Sequence, residues 1–244
     1  MRTVSGSARV FGSPALLAEA FAAEMFASIS GRPSFNIALS GGSTPRLLFE
    51  TLAGHAAGLD WQRVHFYWGD ERCVPPDDRD SNYRMAREAL FDRIRVPAAN
   101  IHRIRGEDDP YVEAERYGGE MLATLPGAEG ALDLVMLGLG EDGHTASVFP
   151  HNIELIKSEN LCEVSAHPES GQLRITVTGR VLAAASRIMF IATGTGKAQK
   201  VAEILGKKAG YELYPAGLVD AMRDDVQWWL DRDAASLLGA KTPY

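Results

Sequence analysis

His144 and Asp142 stand two residues apart in the glycine-rich stretch Gly138-Leu-Gly-Glu-Asp-Gly-His-Thr-Ala-Ser-Val-Phe-Pro150. Imidazole exchanges protons near neutral pH, and a neighbouring carboxylate can fix its tautomer. The pair therefore points to general acid–base chemistry. Residues 131–137 immediately before it form an apolar run that reads as a strand covered on both faces. Open α/β sheets hold their ligands in loops at the carboxyl ends of such strands. For an isolated histidine a structural role is the commoner one; the loop position and Asp142 favour function here.

Three further segments carry groups suited to an anion. Ser40-Gly-Gly-Ser-Thr-Pro45 reads either as a capped strand-to-helix turn, with Thr44 as N-cap and Pro45 as first helical residue, or as a phosphate cradle of backbone N–H groups and hydroxyls. Asp70-Glu71-Arg72 ends a strand at residues 64–68 and reads either as a solvated charge run or as a ligand contact, with Arg72 able to clamp a phosphate or carboxylate. Lys197 follows Gly194-Thr-Gly196 at a helix start, which suits anion capture. This segment is only a partial P-loop: Ile191 replaces the first glycine and Ala198 the magnesium-binding hydroxyl. Residues 138–143 formally match the dinucleotide fingerprint, but Pro150 cuts short the long helix that such a site requires. The other histidines, His55, His65, His102, His151 and His167, lack metal-ligand spacing, and His151 is close enough in sequence to His144 to line the same pocket. No metal is called for. Cys73 and Cys162 are too few for a disulfide framework, and Cys73 reads as a packing residue.

These segments are positioned by alternating strands and helices. Helices are expected at residues 14–29, from the 41–45 turn to 52, at 81–94, 110–125, from 197, and at 224–238 with Trp228 and Trp229. Strands are expected at 35–40, 64–68, 132–137, 161–165, 174–178 and 188–192, with 161–178 forming a hairpin around Pro168–Gly171. The pattern predicts an α/β fold: one domain over residues 1–244, a mostly parallel Rossmann-like sheet with helices on both faces and a small antiparallel addition. The 244 residues, 45% of them hydrophobic, suffice for one such core. A net charge of −7 argues against broad binding to nucleic acid or an acidic membrane, while leaving room for a small anionic ligand. With neither a signal-peptide pattern nor an apolar run of membrane length, a cytoplasmic location is expected.

In this order over nearly the whole chain, the blocks Leu39–Pro45, Trp68–Arg72 with Ser81-Asn82-Tyr83, Gly138–Pro150, Arg174–Thr178, Ala192–Ala198 and Tyr214–Val219 resemble the 6-phosphogluconolactonase family. The Asp-Gly-His-Thr-Ala-Ser block is the specific one. The resemblance implies the sheet type shared with glucosamine-6-phosphate deaminase and ribose-5-phosphate isomerase. It also implies hydrolysis of 6-phosphoglucono-1,5-lactone to 6-phosphogluconate in the oxidative pentose phosphate pathway, without a cofactor. By the same resemblance His144 is the catalytic histidine, aided by Asp142, and Gly42, Ser43, Thr44, Asp70, Arg72, Arg174 and Lys197 surround the sugar phosphate. A phosphorylated sugar lactone is the expected partner, and a monomer or weak homo-oligomer the expected state. His151 departs from the glycine common after Phe-Pro in the family. Amino-sugar phosphate deaminases are similar at Asp70-Glu71 and Asp142–His144, but they place a carboxylate where this chain has Phe149, and Tyr where it has Arg72. A non-catalytic sugar-phosphate sensor has less need of the Asp-Gly-His loop.

Overall fold

The computed structural model describes residues 2–4, 8–127 and 130–239. In chain order the elements are β1 (Arg2–Val4), β2 (Ala8–Phe11), α1 (Pro14–Ile29), β3 (Phe35–Leu39), α2 (Ser43–Gly54), β4 (Val64–Trp68), β5 (Asp70–Arg72), α3 (Asn82–Ala89) and α4 (Pro110–Thr124). They continue with β6 (Leu134–Leu137), β7 (Cys162–Ala166), β8 (Leu173–Val177), α5 (Gly179–Ala184), β9 (Ile188–Ala192), α6 (Ala198–Leu205), α7 (Pro215–Met222) and β10 (Gln227–Asp231).

Composition explains the central strands. Phe35–Leu39, Leu134–Leu137 and Ile188–Ala192 are buried at every position, so both faces of the sheet are covered. Helix α1 begins where Ser13 Oγ accepts from the Leu16 N–H with Pro14 in the first turn, and it buries Leu17, Phe21 and Met25. The main sheet runs β1-β2-β10-β9-β6-β3-β4, with β2 through β4 in that order all parallel and β1 antiparallel at the edge. After β3 the chain moves outward to β4, and later returns to lay β6 on the other side of β3. The loops leaving β3 and β6 therefore diverge, which opens a crevice at the carboxyl ends of these strands.

A second, antiparallel sheet of order β5-β8-β7 forms one side of that crevice. Gly69 joins the two sheets: its N–H donates to Leu39 O at 2.9 Å, and its carbonyl accepts from the Val177 N–H at 2.9 Å. The small antiparallel addition is thus a continuation of the edge strand β4, turned to face the loops of the main sheet.

Three expectations are corrected. Residues 224–238 do not form a helix: β10 lies between β2 and β9, with Trp228 stacked on Phe190 (ring centroids 4.2 Å apart, 9° between planes). Trp228 Nε1 donates to Asp220 Oδ1 at 2.7 Å, so the indole is buried without losing its hydrogen bond. The helix expected to reach residue 94 ends at Ala89 and is followed by a single 3-10 turn, Phe91–Arg93. Helix α2 starts earlier than expected: Gly42, at φ +106°, is its N-cap, so Thr44 does not cap it and Pro45 is its third residue.

Candidate functional site

The Gly138–Thr145 loop closes on itself as it leaves β6. The Gly140 N–H donates to His144 O (2.8 Å), the Gly143 N–H to Gly140 O (3.1 Å) and Thr145 Oγ1 to Gly138 O (2.9 Å). Within it, one oxygen of Asp142 accepts two bonds from the same residue: the His144 N–H at 3.0 Å and the ring Nδ1 at 2.6 Å. Partial burial acts to raise the Asp142 pKa, but the His144 amide, charge and ring outweigh it and hold the carboxyl below its ordinary value. The group is therefore ionised at neutral pH, and its grip on the ring weakens only as pH falls through that depressed value. An ionised carboxylate only accepts, so Nδ1 carries the hydrogen and Nε2 presents a lone pair.

The loop tolerates no side chain at residue 140. A Cβ there would lie 2.1 Å from His144 Nδ1 and 2.6 Å from Asp142 Oδ1. The ring also packs on the fully buried Phe149, at 4.7 Å between centroids. Phe149 is a hub: the Arg174 guanidinium lies 5.6 Å from its centroid, His167 meets it edge-on at 5.4 Å, and His151 stacks on it at 5.7 Å.

The crevice is a cleft of about 430 Å³. Its wall includes Asp142, His144, Asp70, Arg72, Arg174 and Lys197, gathered from loops or strands of both sheets. Arg72 and Arg174 are directly paired across β5 and β8. Arg72 Nη1 donates to Asp80 O (2.6 Å) and Arg174 Nη1 to Ser147 Oγ (3.4 Å), while the buried Nε of each has no hydrogen-bond partner. Burial, and then the charge of Arg72, pull the Arg174 pKa below its ordinary value. Two adjacent guanidiniums with donors unmet call for an anion. Asp70 does not neutralise them by direct contact; its Oδ2 accepts from Ser147 Oγ at 2.6 Å.

The charge run divides by strand alternation. Asp70 and Arg72 face the cleft, whereas the buried Glu71 accepts from the amides of Arg72, Asn82 and Tyr83 and from Ser81 Oγ, at 2.7–3.1 Å. Burial raises the Glu71 pKa, and those backbone bonds oppose the rise. Glu71 thus anchors the start of α3, which carries Asn82 to the cleft wall. Glu71→Ala is expected to cost about 1–3 kcal/mol, because it leaves buried donors unpaired; urea unfolding measures it. Burial, then Glu71 and Glu113, push the Cys73 thiol up to about 11, unsuited to a nucleophile.

Gly42, Ser43 and Thr44 open α2 but do not wall the cleft; from that segment Ser40 and Gly41 do. The Thr44 hydroxyl is instead 2.6 Å from that of Thr193, which ties the β3 loop to the β9 loop. Gly41 is glycine because Asn82 packs on it: a Cβ would lie 1.9 Å from Asn82 Oδ1. His151 is exposed and absent from the wall; the histidine that lines the cleft beside His144 is His167, with Pro168 and Glu169. Chemistry-led reading of the sequence missed His167, because β-hairpin closure rather than proximity in sequence brings it there. Asn82 was visible only within its motif.

Residues 14–228 match the family of glucosamine-6-phosphate isomerases/6-phosphogluconolactonase. A 6-phosphogluconolactonase of Aggregatibacter actinomycetemcomitans is 46% identical over 205 residues, covering 83% of this chain and 87% of that protein. Among solved structures, the crystal structure of the devB protein superimposes with a TM-score of 0.91 at 42% identity, covering 96% of this chain and 99% of that one. The 6-phosphogluconolactonase of Trypanosoma brucei gives a TM-score of 0.85 at 29% identity, covering 97% of this chain and 100% of that one. Fold, loop order and sequence agree: the chain belongs to the glucosamine-6-phosphate isomerase/6-phosphogluconolactonase family.

Proposed function

We propose that this protein hydrolyses 6-phospho-D-glucono-1,5-lactone to 6-phospho-D-gluconate, a step of the oxidative pentose phosphate pathway, with His144 as general base. The observation that carries the reading is His144, fixed by Asp142, sharing one cleft with two guanidiniums whose donors are unmet. The lactone is an ester with a phosphate at its far end, and the cleft offers a base and an anion site to match. The similarity to named 6-phosphogluconolactonases supports the same choice.

In this mechanism Arg72, Arg174 and Lys197 bind the phosphate and so place C1 near His144. Nε2 takes a proton from water as its oxygen attacks C1. Backbone N–H groups of the glycine loops stabilise the resulting oxyanion. When the C1–ring oxygen bond breaks, the imidazolium returns the proton to the departing oxygen. Asp142 stabilises the imidazolium while it exists.

The deaminase reading is weaker because Phe149, buried and apolar, stands where those enzymes carry their ring-opening carboxylate. Acid release from freshly prepared lactone, followed by pH-stat, tests the proposal. A rate well above spontaneous hydrolysis is expected. Ammonia release from glucosamine 6-phosphate without lactone hydrolysis would overturn it.

A further inference from the structure

Among the polar side chains of the cleft wall that this mechanism leaves unused is a second histidine, His167. His167 stands at the tip of the β7–β8 hairpin, where its N–H donates to Gln172 O and its carbonyl accepts from the Gly171 N–H, each at 2.9 Å. Its ring is half-buried and bonded to the turn itself: Nδ1 accepts from the main-chain N–H groups of Glu169 (3.4 Å) and Ser170 (3.3 Å). With two donors directed at Nδ1, that nitrogen holds a lone pair, and the ring hydrogen sits on Nε2. His144 is wired the other way round, with its hydrogen on Nδ1 and its lone pair on Nε2. The cleft therefore holds one imidazole arranged to accept a proton and one arranged to donate a hydrogen bond.

The location of His167 identifies what it would meet. Ser165 pairs with Arg174 across β7 and β8, and Arg174 pairs with Arg72 across β8 and β5. His167 follows directly on β7, two residues beyond Ser165 and opposite Gln172, so continuing the strand's alternation puts it on the same side as Ser165 and diagonal to Arg174. His167 meets Phe149 edge-on at 5.4 Å, the Arg174 guanidinium lies 5.6 Å from the centroid of the same ring, and both side chains line the cleft. Glu169, on the same turn, presents its N–H to His167.

We propose that His167 is a substrate-specificity residue: its Nε2–H donates to an oxygen of the phosphate held by Arg72 and Arg174, so that the hairpin tip selects phosphorylated over unphosphorylated lactone. The substrate named here rests on the lactonase reading, but the contact itself can be tested without turnover.

Two substitutions separate binding from turn structure. His167→Asn keeps an acceptor near the Nδ1 position and loses the Nε2–H, whereas His167→Gln places an amide N–H near it. A hydrogen bond to a charged acceptor is worth about 10-fold to 100-fold in affinity. By calorimetry, His167→Asn is expected to weaken binding of 6-phosphogluconate by that factor, to leave binding of gluconate unchanged and to keep the melting temperature. His167→Gln is expected to recover most of the loss. With lactones, His167→Asn should raise KM for the phosphorylated substrate, leave kcat nearly constant and leave unphosphorylated glucono-1,5-lactone unaffected. Wild-type affinity for 6-phosphogluconate in His167→Asn, or equal losses with both ligands, overturns the proposal. A wild-type protein inert towards lactone would overturn only the lactonase reading, because the calorimetric comparison still decides the role of His167.

Discussion

His144→Ala is expected to lower kcat for lactone hydrolysis by about 10²–10⁴-fold, the range contributed by a positioned general base. KM should change little, because the groups proposed to hold the phosphate belong to β5, β8 and the β9 loop and do not depend on the imidazole. Equal losses in kcat and kcat/KM are the signature of a group that acts in the transition state. The lactone opens spontaneously, so the measurement is the initial rate by pH-stat after subtraction of a protein-free blank. A variant with near-wild-type kcat would remove His144 from the chemistry and leave Asp142 as a loop-closing group.

Gly140→Ala makes the second large effect expected, through a residue with no functional group. The added methyl carbon would sit within 2.6 Å of both members of the His144–Asp142 pair, so the ring, the carboxylate or the loop must shift. A misplacement of about 1 Å at a reacting centre is enough for about 10²-fold in rate. A fall in kcat of that order is expected, with 6-phosphogluconate affinity retained, since Arg72 and Arg174 lie on the other sheet. Calorimetry and kcat on the same preparation check both parts. Wild-type turnover in this variant would mean that the pair is not held as tightly as its contacts indicate.

Much of the scaffold was legible in the sequence, and the exceptions have identifiable physical causes. Residues 188–192 and 132–137 are mostly apolar runs each followed by glycine within two residues, and they contain β9 (Ile188–Ala192) and β6 (Leu134–Leu137). The Trp228-Trp229-Leu230 run is of the same kind, but the run is short and lacks flanking glycines. Periodicity cannot separate a short buried strand from a buried helix segment. Pairing with β2 and β9 decided it. At the site, the contact between Asp142 and His144 could be read because the two are two residues apart. The anion site could be suspected only piecewise, since Arg72 and Arg174 meet through strand pairing across the small sheet. Thr44 was misread as a cap because Gly42, by adopting a positive φ, starts the helix sooner than a hydroxyl would.

The place of β10 has a consequence for how the molecule comes to exist. Ala8 pairs with Trp228, so almost the whole chain separates the two partners. At about 5–20 residues per second, β2 leaves the ribosome on the order of ten seconds or more before the strand that will cover it. Throughout that interval the β2 edge has no β10 to pair with, and β9, made late in it, waits for the same strand. Such late, long-range pairing is slow and exposes strand edges to association. The nascent protein is thus most vulnerable to aggregation and most dependent on chaperones just before its final strand arrives, although the loops that make the cleft have all been synthesised by then.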